Sequence, residues 1–207
     1  MRILVTAFDP FGGEAENASQ RVLAALPDRI GDAELVRRVV PTVFGLAAET
    51  AAAAVREMKP AAVVCLGQAA GRAAVTPERV AVNLMDASIP DNAGKMPAEE
   101  PVVPGGPAAY FSTLPVKDMA AAMVSAGVPA QVSNSAGLFV CNSLLYGLLH
   151  FIHTDGPQIP CGFIHVPLLE GQETGSRPAL PPETAVRGVT AALAVLEEQL
   201  NGRKRTK

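Results

Sequence analysis

The sequence of 207 residues contains no Trp, and its aromatic content is only 4%. It has three Cys, too few and too unevenly spaced for a disulfide framework, which fits a reducing compartment. No stretch approaches the roughly 20 apolar residues of a membrane span, and the short apolar start lacks the pattern of a signal peptide. Neither sign of charge dominates, because the chain has 17 Lys and Arg residues and 20 Asp and Glu residues. These absences exclude a secreted disulfide scaffold, a membrane protein and a broad polyanion-binding surface, and they predict a cytoplasmic protein.

Apolar residues, by contrast, are abundant, at 49% of the chain against 18% charged. Disorder requires low hydrophobicity and high net charge, so we expect a folded chain, and its length fits a single domain over residues 1–207. The basic residues 202–207 follow a predicted helix. There they complement the helix dipole and then fray in water, so we expect no nucleic-acid partner.

Strand-like and helix-like patterns alternate along the chain. We predict strands at residues 3–8, 34–40, 61–66, 79–84, 130–133 and 162–166, and helices at residues 19–26, 46–58, 116–125, 141–153 and 183–200. Such alternation is typical of an α/β sandwich around a mostly parallel sheet. Residues 86–107 interrupt it with five Pro and three Gly. This segment is either a lid, binding or oligomerisation element or a hairpin packed on the surface.

Cys141 is the most informative single residue, because it opens an apolar helix after the turn-rich residues 134–137. Backbone N–H groups and the dipole at a helix N-terminus favour a thiolate and predict a lowered thiol pKa. The same N–H groups could hold an oxyanion after attack on a carbonyl. The alternative is a small buried side chain, which is the prediction for Cys65 and Cys161.

A nucleophilic cysteine needs a base, and the chain has three His. His150 and His153 share one face of a predicted helix without a third ligand nearby, which favours packing over a metal site. His165 ends a strand before Val166 and Pro167. Since sites form beyond the carboxyl ends of parallel strands, Cys141 and His165 are expected at the same sheet edge.

The imidazole in turn needs a group that orients it. Glu78, Asp86 and Asp91 are the candidates, and spacing alone does not choose among them.

Phe8 and Phe11 lie in the glycine-rich loop after the first strand. This loop matches no phosphate-binding pattern, but two rings could enclose a small neutral ring; core packing is the alternative.

These motifs together resemble one family, the type I pyroglutamyl peptidases, also called pyrrolidone carboxyl peptidases. The resemblance runs from the first strand to about Pro167 and is carried by residues 8–13, 67–72, 78–83, 89–94, 109–115, 133–137 with 141–142, and 163–167. No single match is specific, but so many in one order are.

The resemblance implies a three-layer α/β/α sandwich of the phosphorylase/hydrolase-like type, usually assembled as a homotetramer, with neither metal nor cofactor. It also implies a thiol protease that removes an N-terminal pyroglutamyl residue from peptides. In that family pattern Cys141 is the nucleophile, His165 the general base and then acid, and Glu78 the residue that orients His165.

Pyroglutamate is a lactam without a charged side chain, so its pocket should be apolar and should exclude glutamate by the cost of desolvation. Phe8 and Phe11 of the first loop would clasp the ring. Phe139 and Val140, which directly precede the nucleophile, would close the pocket, and backbone amides near Asn17 and Gln68 would form hydrogen bonds to the lactam.

The sequence departs from the family pattern at Ser88, where members commonly have an Arg two residues after the Asp. A charged donor is roughly twice as strong as a neutral one, so we predict slower turnover unless Arg72 or Arg79 supplies the charge. Two other functions stay open: a nucleoside phosphorylase-like enzyme of similar fold, which would need phosphate or ribose contacts, and a catalytically weak or silent homologue.

Overall fold

The computed structural model describes residues 1–172 and 175–205. In chain order the elements are β1 (Arg2–Phe8), α1 (Ala18–Ala25), β2 (Arg29–Ile30), β3 (Ala33–Val40), α2 (Leu46–Met58), β4 (Ala62–Gln68), β5 (Thr76–Glu78), β6 (Val80–Val82), β7 (Ala109–Phe111), α3 (Val116–Ser125), α4 (Val140–Thr154), β8 (Cys161–Val166), β9 (Leu168–Leu169), β10 (Ala179–Leu180) and α5 (Pro182–Arg205). Helix α5 thus continues past the predicted end at residue 200. The rest of the tail predicted to fray, Thr206 and Lys207, lies outside the described residues.

Six strands form one sheet in the order β2-β3-β1-β4-β8-β5. The four central strands are parallel, and the two edge strands, β2 and β5, run antiparallel to their neighbours. The later strand β8 lies between β4 and β5, which follow each other in the chain. The carboxyl ends of the parallel strands therefore meet at one edge, as the sequence predicts.

Helices cover both faces of this sheet, and each face has its own apolar core. Side chains of β1 alternate between them: Ile3 and Val5 pack with α1, α3 and α5, whereas Leu4 and Phe8 pack with α2 and α4. Strands buried on both faces read as continuous apolar runs, which is why these segments lack a polar alternation. The predicted three-layer α/β/α sandwich is confirmed.

Two strand predictions differ from the structure near β5. Residues 79–84 were expected as one strand. Instead, β5 pairs with β8, and the short strand β6 that follows it pairs with β7 in a separate two-stranded sheet. Residues 130–133 form only isolated bridges to Val75 and Glu78. The reason is Pro77, which lies between these bridges and has no N–H group to continue the ladder.

The irregular residues 86–107 fold back on themselves. Met85 and Glu100 exchange both backbone hydrogen bonds, at 2.7 and 3.0 Å. The turn between them lies on the first loop, where the side-chain amide of Asn92 donates to the Pro10 carbonyl oxygen at 2.9 Å. The segment is therefore a hairpin whose tip is bound to the edge of the sheet that carries the predicted site. Among the described residues, no helix combines the length and apolar character of a membrane span.

Candidate active site

Cys141 lies in the first turn of α4, one residue after its start at Val140. The cap residue, Phe139, is extended and makes no side-chain hydrogen bond to the helix. No capping side chain therefore competes for the backbone N–H groups at this end, which stay available to an oxyanion.

His165 and Glu78 form a buried pair on neighbouring strands, β8 and β5. Nδ1 of His165 lies 2.8 Å from Oε1 of Glu78. The two residues are 3% and 0% exposed, so bulk water does not screen this contact. Because an ionised carboxylate only accepts hydrogen bonds, the contact places the imidazole proton on Nδ1 and leaves Nε2 free to act as a base.

Gly67 brings the thiol to this pair. In the β4–β8 ladder Gly67 is the register partner of His165. A Cβ atom at Gly67 would lie only 3.1 Å from Sγ of Cys141 and 2.5 Å from Cζ of Phe163. The thiol and the Phe163 ring thus occupy the space that a side chain at position 67 would take. Gly67 therefore links the two groups, as the register partner of His165 and as the position whose missing side chain leaves room for Sγ.

The protonation states follow from burial. Burial raises the pKa of the Cys141 thiol to about 12, and the negative charge of Glu78 adds to the rise. Burial also lowers the pKa of His165, against the opposite influence of Glu78. The predicted lowering of the thiol pKa is wrong, because desolvation outweighs the helix dipole here. Both shifts favour the uncharged forms of the thiol and the imidazole near neutral pH.

The other two acidic candidates lie elsewhere. Asp86 is exposed, and its backbone N–H donates to the Leu138 carbonyl oxygen at 3.1 Å. The carboxylate of Asp91 is buried in the hairpin turn and accepts from the backbone N–H of Phe44 at 2.9 Å. Of the three, Glu78 is the one in contact with His165. Burial alone would raise the pKa of Glu78, but the hydrogen bond to His165 and nearby positive charge lower it overall.

The predicted aromatics divide into two contacts. Phe8 is 2% exposed and packs on Phe163, with ring centroids 6.3 Å apart. Phe11 packs instead on Phe139, at 5.9 Å, and Phe44 meets Phe139 edge-on at 5.2 Å. Sequence reasoning missed Phe44. The available signal was a Phe just after the strand that pairs with β1, at the same sheet edge as Phe8.

The remaining predicted site residues are Asn17, Gln68 and Val140, and each is engaged within the protein. The side chain of Asn17 caps α1 by accepting from the Ser19 N–H at 3.0 Å. Oε1 of Gln68 accepts from the Ala18 N–H at 2.7 Å, and its Nε2 donates to Glu14 at 2.8 Å. Val140 is fully buried in the core. The side chains of Asn17 and Gln68 are thus engaged in hydrogen bonds within the protein.

Ser88 lies exposed on the hairpin, close in sequence to the Asp86–Leu138 contact that joins this segment to the loop before Cys141. Of the two arginines considered as substitutes, Arg72 donates to Oε1 of Glu78. Its charge is therefore already paired with a carboxylate, which argues against Arg72 replacing the missing family Arg.

The pair of histidines on α4 is engaged in local contacts. Nδ1 of His150 lies 3.0 Å from the Tyr110 hydroxyl, and Nδ1 of His153 lies 2.8 Å from the Leu149 carbonyl oxygen. The described residues contain no group of three or more His, Cys, Asp or Glu that could hold a metal ion.

A cysteine at a helix N-terminus, served by an imidazole that a carboxylate orients, is the arrangement of hydrolases that attack carbonyl groups through sulfur. The sequence model of the Pyroglutamyl peptidase family matches residues 1–199, and the chain belongs to this family. The protein is accordingly a cysteine peptidase of the pyroglutamyl-peptidase I class, a hydrolase, as the resemblance implies.

Relatives and solved structures agree with this assignment. The chain is 53% identical to the pyrrolidone-carboxylate peptidase of Streptomyces coelicolor over 93% of its length and 90% of the relative's. It is 46% identical to that of Levilactobacillus brevis, over 95% and 97%. Its fold matches a mutant pyrrolidone carboxyl peptidase from Pyrococcus furiosus with a TM-score of 0.91 and 43% identity, over 97% of this chain and 100% of that one. For pyroglutamyl peptidase I from Bacillus amyloliquefaciens the values are 0.89 and 42%, over 93% and 95%.

Proposed function

We propose that the protein removes an N-terminal pyroglutamyl residue from peptides through an acyl-enzyme on Cys141. His165 acts as general base and then as general acid, and Glu78 orients His165. The observation that carries this proposal is the 2.8 Å contact between Nδ1 of His165 and Oε1 of Glu78, beside the thiol at the start of α4.

The reaction begins with an uncharged pair. Nε2 of His165 takes the thiol proton while Sγ of Cys141 forms a bond to the pyroglutamyl carbonyl carbon. Negative charge then develops on the carbonyl oxygen, where backbone N–H groups at the start of α4 stabilise it. As the C–N bond breaks, His165 returns the proton to the leaving amine. Water, deprotonated by the same imidazole, then attacks the thioester carbonyl carbon. The C–S bond breaks, pyroglutamate leaves, and the imidazolium returns the proton to Sγ of Cys141.

Recognition of the lactam rests on apolar walls and a few amides. We assign Phe8, Phe11, Phe139 and Val140 to the walls, with backbone amides near Asn17 and Gln68 as lactam partners. The rings of Phe11 and Phe139 are in contact, which supports a shared wall, and Phe44 extends it. A charged glutamate would lose its hydration in such a pocket without a compensating cation, so the neutral lactam is preferred.

The remaining expectations concern assembly and location. A homotetramer is supported by large apolar side chains on the surface, including Phe111 at 69% and Val124 at 56% exposure. A cytoplasmic location is supported by three cysteines that are all free thiols. One sheet with an apolar core on each face supports a single domain over residues 1–207. The proposed chemistry requires neither metal nor cofactor.

Hydrolysis of a pyroglutamyl-coupled fluorogenic amide tests the proposal. We expect activity that is lost in Cys141→Ala and after alkylation with iodoacetamide. Cys161→Ala is the matched control, since that thiol is fully buried in β8, and it should keep alkylation-sensitive activity. Activity that survives both changes at Cys141 would overturn the proposal. A folded protein without hydrolysis would indicate a silent homologue, and phosphate-dependent nucleoside cleavage unaffected by alkylation would indicate a phosphorylase.

A further inference from the structure

Arg72 lies behind the proposed catalytic residues, in the turn between β4 and β5. Its Nη1 donates to Oε1 of Glu78 and to the Thr76 hydroxyl. Its Nη2 donates to the carbonyl oxygen of Ser135 at 2.8 Å. The guanidinium therefore joins the carboxylate on β5 to the link that leads into α4.

Glu78 depends on this cation. Its side chain is 0% exposed, against 29% for that of Arg72. Among the described residues, its second oxygen, Oε2, has no hydrogen-bond partner. The nearby Ser133 hydroxyl donates to the Ser135 carbonyl oxygen at 3.1 Å, and its hydrogen-bonding influence also helps to lower the pKa of Glu78. A buried carboxylate is costly unless it is paired and hydrogen-bonded, and the contacts of Glu78 with Arg72 and His165 are both made at Oε1.

Arg72 and His165 bind the same oxygen of Glu78. The arginine therefore partly offsets the negative charge that the imidazole meets. Its positive charge acts with burial to lower the pKa of His165, and it opposes the rise that burial causes in the pKa of Cys141. Without Arg72, Glu78 would hold a proton on His165 more strongly.

We infer that Arg72 is a positioning residue for catalysis: it fixes the Glu78 carboxylate against His165 and ties that pair to the loop before Cys141. This inference rests on the proposed function. Within the described part of the chain the hydrogen bonds of Arg72 go to Thr76, Glu78 and Ser135, so its direct contacts act through Glu78 and through the carbonyl of Ser135. Within the loop, Oγ of Ser135 accepts from the Gly137 N–H at 3.2 Å, which passes the restraint toward α4.

The test compares Arg72→Gln with Arg72→Lys in the full-length enzyme, using the pH profile of kcat/KM on a pyroglutamyl amide. Loss of orientation in Arg72→Gln should lower kcat about 10²-fold with little change in KM. The acidic limb of its pH profile should move to higher pH, because without the cation His165 holds its proton more strongly and must lose it to act as a base. Arg72→Lys keeps the positive charge, so its acidic limb should stay at the wild-type position. Guanidinium chloride at millimolar concentration should partly rescue Arg72→Ala.

Arg38→Gln is the matched control. It removes the same charge from an ion pair with Glu57 in which the side chains are 39% and 72% exposed, and it should leave kcat and the profile unchanged. The inference is overturned if Arg72→Gln retains wild-type kcat and limb. It is equally overturned if the loss disappears once rates are divided by the folded fraction measured from circular dichroism. If Arg72→Gln does not fold, Arg72→Lys decides, since an altered limb with the charge kept contradicts the inference. Failure of the proposed function looks different: the wild type itself would lack thiol-dependent hydrolysis.

Discussion

Replacing Gly67 with alanine perturbs the site by a single methyl group. The new Cβ would lie 2.5 Å from Cζ of Phe163, 2.8 Å from its Cε1 and 3.1 Å from Sγ of Cys141. An ordinary carbon–carbon contact is about 3.5 Å or longer, so the ring has to move by about 1 Å. Phe163 is fully buried and its ring centroid lies 4.7 Å from that of His165, so the movement reaches the imidazole proposed as the general base.

Two magnitudes follow from this geometry. Overpacking of a close-packed core costs about 1–3 kcal/mol, which should appear as a lower free energy of unfolding in urea. A misplacement of about 1 Å among reacting groups costs about 10²-fold, which should appear in kcat/KM on a pyroglutamyl amide. Adding Phe163→Leu shortens the side chain that meets the methyl group and should recover much of the lost stability.

Gly202→Ala is the control, because a Cβ at that position of α5 meets nothing within 4 Å. It should leave the rate unchanged and, as a Gly→Ala change within a helix, it should raise rather than lower the free energy of unfolding in urea, by up to about 1 kcal/mol. If Gly67→Ala keeps kcat/KM within about threefold of wild type at unchanged stability, the thiol and the ring do not depend on the missing side chain, and the reasoning about Gly67 fails.

Four further predictions concern single residues. Glu78→Gln should lower kcat about 10⁴-fold in steady-state kinetics by losing the correct imidazole tautomer; a loss below tenfold would contradict its role. Because burial lowers the pKa of His165, the acidic limb of kcat/KM should lie below the usual histidine value, and a limb above it would refute this. The carboxylate of Asp91 accepts from three backbone N–H groups and its pKa is lowered, so it stabilises the fold above the usual aspartate pKa and loses this as pH falls. Asp91→Asn should therefore lose about 1–3 kcal/mol in urea at pH 7 and less at pH 3, whereas an equal loss at both would exclude the charge as the cause. Ser88→Arg should raise kcat on a pyroglutamyl amide, and an unchanged rate would show that Ser88 is not limiting.

Much of the fold could be predicted because its central strands are buried on both faces. That burial leaves an unbroken apolar run in the sequence, as in β1. Such a run indicates a strand of a parallel sheet even when the strands that pair with it are unknown. The edge strands could not be predicted in the same way. At β5 the outcome depends on one absent N–H group, at Pro77, whose effect appears only when the partner segment is in place.

The site was predictable where it follows from topology. His165 lies near the carboxyl end of the parallel strand β8, where such sites form. The expected strand before Cys141 does not form, because residues 130–133 only bridge to β5 and the residue before it, and run antiparallel to β8. The start of α4, rather than a strand end, brings the thiol next to Gly67. Phe44 was missed, and Arg72 was considered only as a replacement for the missing family Arg, because the contacts of both depend on the direction in which each side chain points across this edge. The direction of the thiol pKa was wrong for a related reason: the sequence shows the helix start, but not the depth at which the thiol is buried.

The place of β8 between β4 and β5 has a consequence for biosynthesis. Strands β4 and β5 emerge from the ribosome before β8, which lies between them in the finished sheet. Glu78 can contact His165 only after a further 87 residues have been synthesised. Pairings of such long range form late in folding. We therefore expect the growing polypeptide to be inert until β8 has inserted, so that peptidase activity reports the completed sheet.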